Sequence, residues 1–258
     1  GSICHKYILT IMLFIVFGGS RKPKSTYTKT SYTNFVKTII IADCHGQPHL
    51  ITNALNHANN WSRLIFSGDI LDIGPDPIMC FNILKENNAE LLWGNHDAAA
   101  AINRAIWPQN SWDQEAKHVI ANHSSFFKIS TNVDNILITH AGLSEKFIQD
   151  MGINTNYRIP QLVQYLNRLD LETLWCDDSP LWYRPTNKNT PLHILQIVGH
   201  TPPEWIEKSG FDSQNLVSVD PYCTKRFGPD RYRYVAIENG NATLYDSNEQ
   251  PKTIMRTI

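Results

Sequence analysis

The chain has 258 residues, 42% hydrophobic and 18% charged, with a formal net charge of -1. That is an ordinary globular composition, long enough for one α/β domain with a sizeable core. The balanced charge argues against a nucleic-acid partner, and five scattered Cys without a CxxC argue against a zinc finger or disulfide framework.

Tyr7–Phe17 (YILTIMLFIVF) is an apolar run of eleven residues, short of the about 20 that an ordinary span needs. It fits a secretion signal or a membrane anchor, or else a buried strand or interfacial stretch. Positive charge is heavier after the run (Arg21, Lys22, Lys24, Lys29) than before it (Lys6). By the positive-inside rule, the chain beyond Phe17 then stays in the cytoplasm. Cytoplasmic location is therefore favoured, with secretion or anchoring through 7–17 as alternatives. Residues 21–34 read as a polar linker, so 1–34 form an apolar segment plus linker and 35–258 the folded domain.

From Phe35 onward, short apolar runs alternate with amphipathic stretches. Strands are predicted at Val36–Ala42, Arg63–Ser67, Ala89–Trp93, Asn135–Thr139, Ile194–Val198 and Leu216–Val219. Helices are predicted at Pro48–Asn59, Pro77–Glu86 and Ala98–Ile106. Tyr232–Glu238 and Ala242–Asp246 flank Asn239-Gly240, a strong hairpin signal. The fold class is α/β with a mixed sheet.

Five of these strands end in metal-competent residues. Asp43-Cys44-His45-Gly46 follows the first, Gly68-Asp69-Ile70-Leu71-Asp72 the second and Gly94-Asn95-His96-Asp97 the third. His140 follows NILIT, and Gly199-His200 follows ILQIV. Ligands bind at that edge of α/β sheets. Each motif alone reads as a polar turn or a hydrogen-bonded histidine; together and in order they read as one site. Asp, Asn and His donors suit Mn, Fe or Zn without thiolate. Cys44 should point away by strand alternation and pack. Asp97 reads as a residue that orients neighbouring backbone or ligand groups.

The motifs ADCHG, GDILDIGPDP, GNHD, HAGL and GHTPP resemble those of the calcineurin-like metallophosphoesterases, and more closely their phosphoprotein phosphatase branch. GNHDAAAAINR, HAGLSEKF and SPLWYR extend the likeness, which covers about 36–245. The resemblance implies a metallophosphoesterase-type mixed β-sandwich flanked by helices, with 35–258 as the catalytic domain. It implies two divalent metal ions, Mn first and Fe or Zn otherwise. Asp43 and His45 would hold one, Asp69 would bridge, and Asn95, His140 and His200 would hold the other. His96 would be the general acid, with Asp72 holding its imidazole; the alternative for Asp72 is a turn residue. Asn95, Arg184 and Arg104 would bind substrate, the alternative for each Arg being a surface position. The family's Arg after the second Asp of GD-x-x-D-R-G is Ile73 here, which puts phosphate binding in question.

The implied function is phosphomonoester hydrolysis by in-line attack of metal-bound hydroxide. A phosphorylated protein (Ser/Thr or Tyr) or a small phosphoester would be the substrate. Dinucleoside tetraphosphate or nucleotide hydrolysis is the alternative enzyme. A degenerate metal-binding pseudophosphatase is the alternative of another class.

Overall fold

A computed structural model describes residues 36–107, 114–154, 158–185, 193–208, 215–221 and 228–255. The expectations for 1–34 lie outside the described residues. Among the described residues no helix is long and apolar enough to cross a membrane.

The first half of the domain alternates strand and helix: β1 (Thr38–Ile41), α1 (Pro48–Ala58), β2 (Arg63–Phe66), α2 (Pro77–Glu86), β3 (Glu90–Leu92) and α3 (Asn95–Ala101). Then come α4 (Gln114–Asn122), β4 (Phe127–Lys128), β5 (Ser130–Val133), β6 (Ile136–Thr139), α5 (Glu145–Asp150) and α6 (Ile159–Leu166). The rest is β7 (Gln196–Val198), α7 (Pro203–Lys208), β8 (Leu216–Ser218), β9 (Arg233–Glu238), β10 (Asn241–Asp246) and β11 (Glu249–Met255).

One sheet runs β11-β10-β9-β1-β2-β3-β4 and the other β5-β6-β7-β8. Both are mixed. β1, β2, β3 and β4 pair in parallel, while β9, β10 and β11 are antiparallel. β5 joins β6 antiparallel, and β6, β7 and β8 are parallel. The hairpin falls where Asn-Gly predicts it. Asn239 and Gly240 both take positive φ, 52° and 72°, as a turn matched to strand twist requires.

Strand alternation sorts the core into layers. Ile40, Ile65 and Leu92 face Ile138 and Ile197 between the sheets. Ile39, Ile41, Leu64 and Phe66 point the other way, onto Leu50, Ile51 and Ala54 of α1 and Phe81 and Leu84 of α2. α1 starts at Pro48, which needs no amide partner there. α2 is capped by Asp76, whose side chain accepts the Met79 N–H at 2.9 Å. The Ser67 hydroxyl donates to the Thr139 carbonyl at 2.7 Å and ties the two sheets beside the site.

Two boundaries differ from the sequence reading by more than two residues, both of them in α3. α3 begins at Asn95, not Ala98, so Asn95, His96 and Asp97 form its buried first turn. Extended Gly94 makes the entry, and the polar side chains are satisfied inside the site. The helix also stops at Ala101, followed by Asn103 at φ 55°, rather than running to Ile106.

Asp246 anchors the β10 end of the long sheet, pairing with both Arg231 and Arg233, and all three are buried. Asp246→Ala leaves two guanidinium groups buried without their carboxylate and should cost about 3–5 kcal/mol. Urea unfolding of the variant checks this; a loss under about 1 kcal/mol would show the pair to be solvated.

Candidate metal centre

The five strand-end loops meet at one place. Asp69 sits at its middle: its Oδ2 is 3.6 Å from His45 Nε2 and 3.4 Å from His140 Nε2. His45 Nε2 is also 4.0 Å from Asp43 Oδ1. On the other side Asn95 Oδ1 lies 2.9 Å from His140 Nε2 and 2.9 Å from His200 Nδ1. The donor atoms of Asp69, His140 and His200 fall within 4.8 Å of one another, and so do those of His45, Asp69 and His96.

Tautomers show what this arrangement wants. His140 Nδ1 faces the Ser67 carbonyl at 2.7 Å, and His45 Nδ1 faces the Leu71 carbonyl at 2.9 Å. A carbonyl only accepts, so both Nδ1 atoms donate and each Nε2 is the atom turned to the centre. His140 Nε2 thus faces the Asn95 oxygen and the Asp69 carboxylate. Imidazoles fixed through Nδ1 with Nε2 converging on oxygen donors are oriented as ligands stand around a cation. His200 Nε2 is buried with no partner. The set of carboxylate, amide oxygen and imidazole donors fits a borderline divalent metal.

Charge argues the same way. Burial pushes the Asp43 carboxyl well above its ordinary range, with Asp220 and Asp69 adding to it. Burial also pulls His45 down to about 4 and His200 well below its usual value. Burial acts against Asp69 as well, but His140, His96 and His45 outweigh it and hold Asp69 well below the carboxylate range. A cation relieves the repulsion between Asp43, Asp69 and Asp220 and uses the neutral imidazoles.

The backbone bends to make this geometry. Asp43, His45, Asp69, Asp72 and His200 all have left-handed φ, at 48°, 44°, 64°, 68° and 62°. Side chains visit this region rarely, Asn, Asp and His more often than the rest, and such conformations gather at functional sites. Two glycines give room. A Cβ on Gly94 would lie 2.1 Å from Asp69 Oδ1, and one on Gly199 would lie 1.9 Å from Asp43 Oδ2. The Asp69 and Asp43 carboxylates occupy the space where those side chains would be.

His96 stands beside the ligands, its Nδ1 2.6 Å from Asp72 Oδ2 and its ring edge-on to His45. Burial lowers the His96 pKa, but Asp69, the bond to Asp72 and Asp97 outweigh burial and raise it. Asp97 accepts from the N–H groups of Asp69 (2.8 Å), Ile70 (3.0 Å) and Leu71 (3.1 Å). Cys44 points into the core.

The arginines divide. Arg184 donates from Nη1 to the His200 carbonyl at 2.9 Å, and Asp220, Asp43 and Asp69 attract its charge. Arg104 is turned to Glu172 and stacks over Trp175 at 5.0 Å, the surface position that is its alternative in sequence. Sequence reasoning passed over Asp220, although the strand-end pattern points to it, since it follows Leu216–Val219. Trp182, edge-on to the His200 ring at 6.1 Å, carries no such signal.

The family model for calcineurin-like phosphoesterase matches residues 36–245. The chain belongs to this family. As a calcineurin-like phosphoesterase by family, it carries His and Asp groups that could hold a metal ion. Over 100 residues the phosphoesterase is 26% identical to serine/threonine-protein phosphatase 1 of Salmonella typhimurium (strain LT2); the match covers 36% of this chain and 46% of that relative. The chain thus spans about half the length of that curated relative. The cold-active protein-tyrosine phosphatase of a psychrophilic Shewanella species aligns over 85% of this chain and 80% of its own, at TM-score 0.54 and 16% identity. A Saccharomyces cerevisiae protein serine/threonine phosphatase similar to human phosphatase PP5 aligns over 87% and 84%, at TM-score 0.51 and 16% identity. Both structural likenesses show the fold.

Gly199→Ala forces the Asp43 carboxylate aside while leaving every donor in the sequence. Divalent-cation affinity of this variant should fall about 10–100-fold, read by calorimetric titration of Mn²⁺. Unchanged affinity would remove Asp43 from the ligand set.

Proposed function

We propose that this phosphoesterase is a phosphomonoester hydrolase acting on phosphorylated proteins, at Ser/Thr or Tyr, with two divalent cations, Mn²⁺ foremost. The observation that carries the reading is the buried His96–Asp72 pair at 2.6 Å beside two donor sets that share Asp69. Asp72 orients the imidazole and favours its protonated form, which is what an acid catalyst beside the metals uses.

Asp43, His45 and Asp69 would hold one cation, and Asp69, Asn95, His140 and His200 the other. When bound, such ions set positive charge against the phosphate oxygens and make water a stronger nucleophile. The chain's own groups do the rest. His96, protonated on both nitrogens, keeps Nδ1–H on Asp72 and gives its Nε2 proton to the leaving oxygen. Arg184 presents a planar fork to the phosphate oxygens. The Asn95 NH₂ group is a further donor for them, since its Oδ1 turns to His140 and His200.

Arginine supply favours a monoester over a dinucleoside tetraphosphate. Arg104 is held by Glu172, and Arg231 and Arg233 by Asp246. Position 73 is Ile. Among the described residues Arg184 is the guanidinium turned to the centre, a supply that suits one phosphoryl group.

The first test is p-nitrophenyl phosphate hydrolysis by metal-stripped protein, with and without Mn²⁺. Turnover should require metal and fall at least about 10³-fold in Asp69→Asn, the scale set by losing a preorganised charge group. Ile73→Arg should lower KM by adding a second guanidinium. Metal binding without turnover in the wild type would favour the pseudophosphatase. Faster cleavage of a dinucleoside tetraphosphate than of a phosphopeptide would overturn the substrate class.

A pH profile tests the acid. The active form of His96 is the protonated one, and its pKa lies above the ordinary 6.5. kcat should therefore be full below that pKa and fall as pH rises through it. His96→Asn should be slow and lack this alkaline limb; an unchanged limb would assign the titration to another group.

A further inference from the structure

The surroundings of Arg184 suggest how one guanidinium suffices. Its Nη1 donates to the His200 carbonyl at 2.9 Å and reaches the Thr201 hydroxyl at 3.3 Å. Its Cζ lies 5.2 Å over the ring of Trp205. Thr201 is buried, and its own carbonyl accepts the Ser218 hydroxyl at 2.8 Å. Trp205 lies on short α7, yet half of its surface is open to solvent. Core packing gives no reason for a tryptophan there. The neighbouring residues do the packing: Ile206 and Tyr183, each adjacent in sequence to Trp205 or Arg184, sit together in one small buried cluster with Ala141, Val198 and Leu216. That cluster fixes both backbones, so the indole face and the guanidinium are held opposite each other.

We propose that Trp205 and Thr201 are positioning residues that hold the Arg184 guanidinium against the His200 carbonyl, pre-oriented for phosphate. The inference rests on the proposed role of Arg184 in binding phosphate. The indole supplies a cation–π face. Thr201 and the carbonyl fix the rotation of the fork. A long side chain that is already ordered loses less rotamer freedom when the anion arrives. Because the carbonyl belongs to a ligand-bearing residue, the phosphate-binding fork keeps a fixed distance from the metal centre. Ile73 makes this arrangement matter: with no Arg at that position, no second guanidinium among the described residues is turned to the centre to compensate for misplacement of Arg184.

The test is a double-mutant cycle read by calorimetric titration of inorganic phosphate into the Mn²⁺-loaded protein. The variants are Trp205→Ala, Trp205→Phe, Arg184→Ala and Trp205→Ala/Arg184→Ala. Trp205→Ala should weaken phosphate binding about 3–10-fold, and Trp205→Phe should recover most of it. The double variant should bind no more weakly than Arg184→Ala alone, because Trp205 acts through Arg184. Mn²⁺ affinity should be the same in all, and for p-nitrophenyl phosphate KM should rise more than kcat falls in Trp205→Ala. Additive losses would overturn the proposal, as would a loss of Mn²⁺ affinity in Trp205→Ala. A KM effect on aryl phosphate without weaker binding of inorganic phosphate would make Trp205 a leaving-group contact and overturn it too. If the wild type binds phosphate but turns nothing over, the phosphatase reading fails and the cycle still decides the positioning role. Equal phosphate affinity in wild type and Arg184→Ala would overturn it outright.

Discussion

The site depends on one carboxylate that touches no substrate. Asp97 accepts three successive backbone N–H groups, from Asp69, Ile70 and Leu71. Those amides come after β2 and have no strand partner there, and Asp97 is the group that satisfies them. In return Asp69 Oδ1 accepts the His96 N–H at 3.0 Å. The β2 loop and the first turn of α3 are therefore strapped in both directions, which sets Asp69, Asn95, His96 and Asp72 relative to one another. The strap is electrostatically costly: burial, then Asp69, push the Asp97 carboxyl up to about 7. The same device recurs across the centre, where Asp43 accepts the His200 N–H at 2.9 Å. Each of these metal-facing loops is thus gripped by a carboxylate belonging to another.

This grip explains why donors so crowded stay in place. Hydrophobic layers bring the strand ends within reach, and hydrogen bonds from main chain to carboxylate fix the last ångström. The remaining donor atoms point inward at one another, and burial lowers the pKa of His45 and His200, favouring their neutral imidazoles. Such a cluster is poor for stability and good for capturing a cation. Nearness of Arg184 adds a positive rim to a negative floor, the polarity that an incoming phosphate and a divalent metal require together.

Much of this is legible in the sequence because the chemistry repeats a simple rule, a polar residue after each buried strand. All eight donor and acid positions read that way, Asp43, His45, Asp69, Asp72, Asn95, His96, His140 and His200, lie in the one cluster. The fold class is legible from TIII, RLIF and the Asn-Gly hairpin for the same reason, strong local periodicity. Less legible are short elements whose pattern is weak: β4 with two residues, α5 and α7 with six each, and β11, which carries Pro251 and Lys252 on an edge. The start of α3 escapes the pattern because Asn95, His96 and Asp97 are poor helix formers that tertiary bonds override. Arg104 resembles a family stretch by neighbours in sequence, but Glu172 and Trp175 come from far along the chain. Trp205 and Asp220 likewise gain meaning only from what folding places beside them.

The left-handed backbone at Asp43, His45, Asp69, Asp72 and His200 bears on which side chains these loops admit. Asp and His are among the few side chains that enter that region with any frequency, so the bends favour the same donor types that fill them. Ile73, at φ 69°, is the exception. A β-branched side chain is a true outlier there, and the turn after Asp72 carries that strain without gaining a donor.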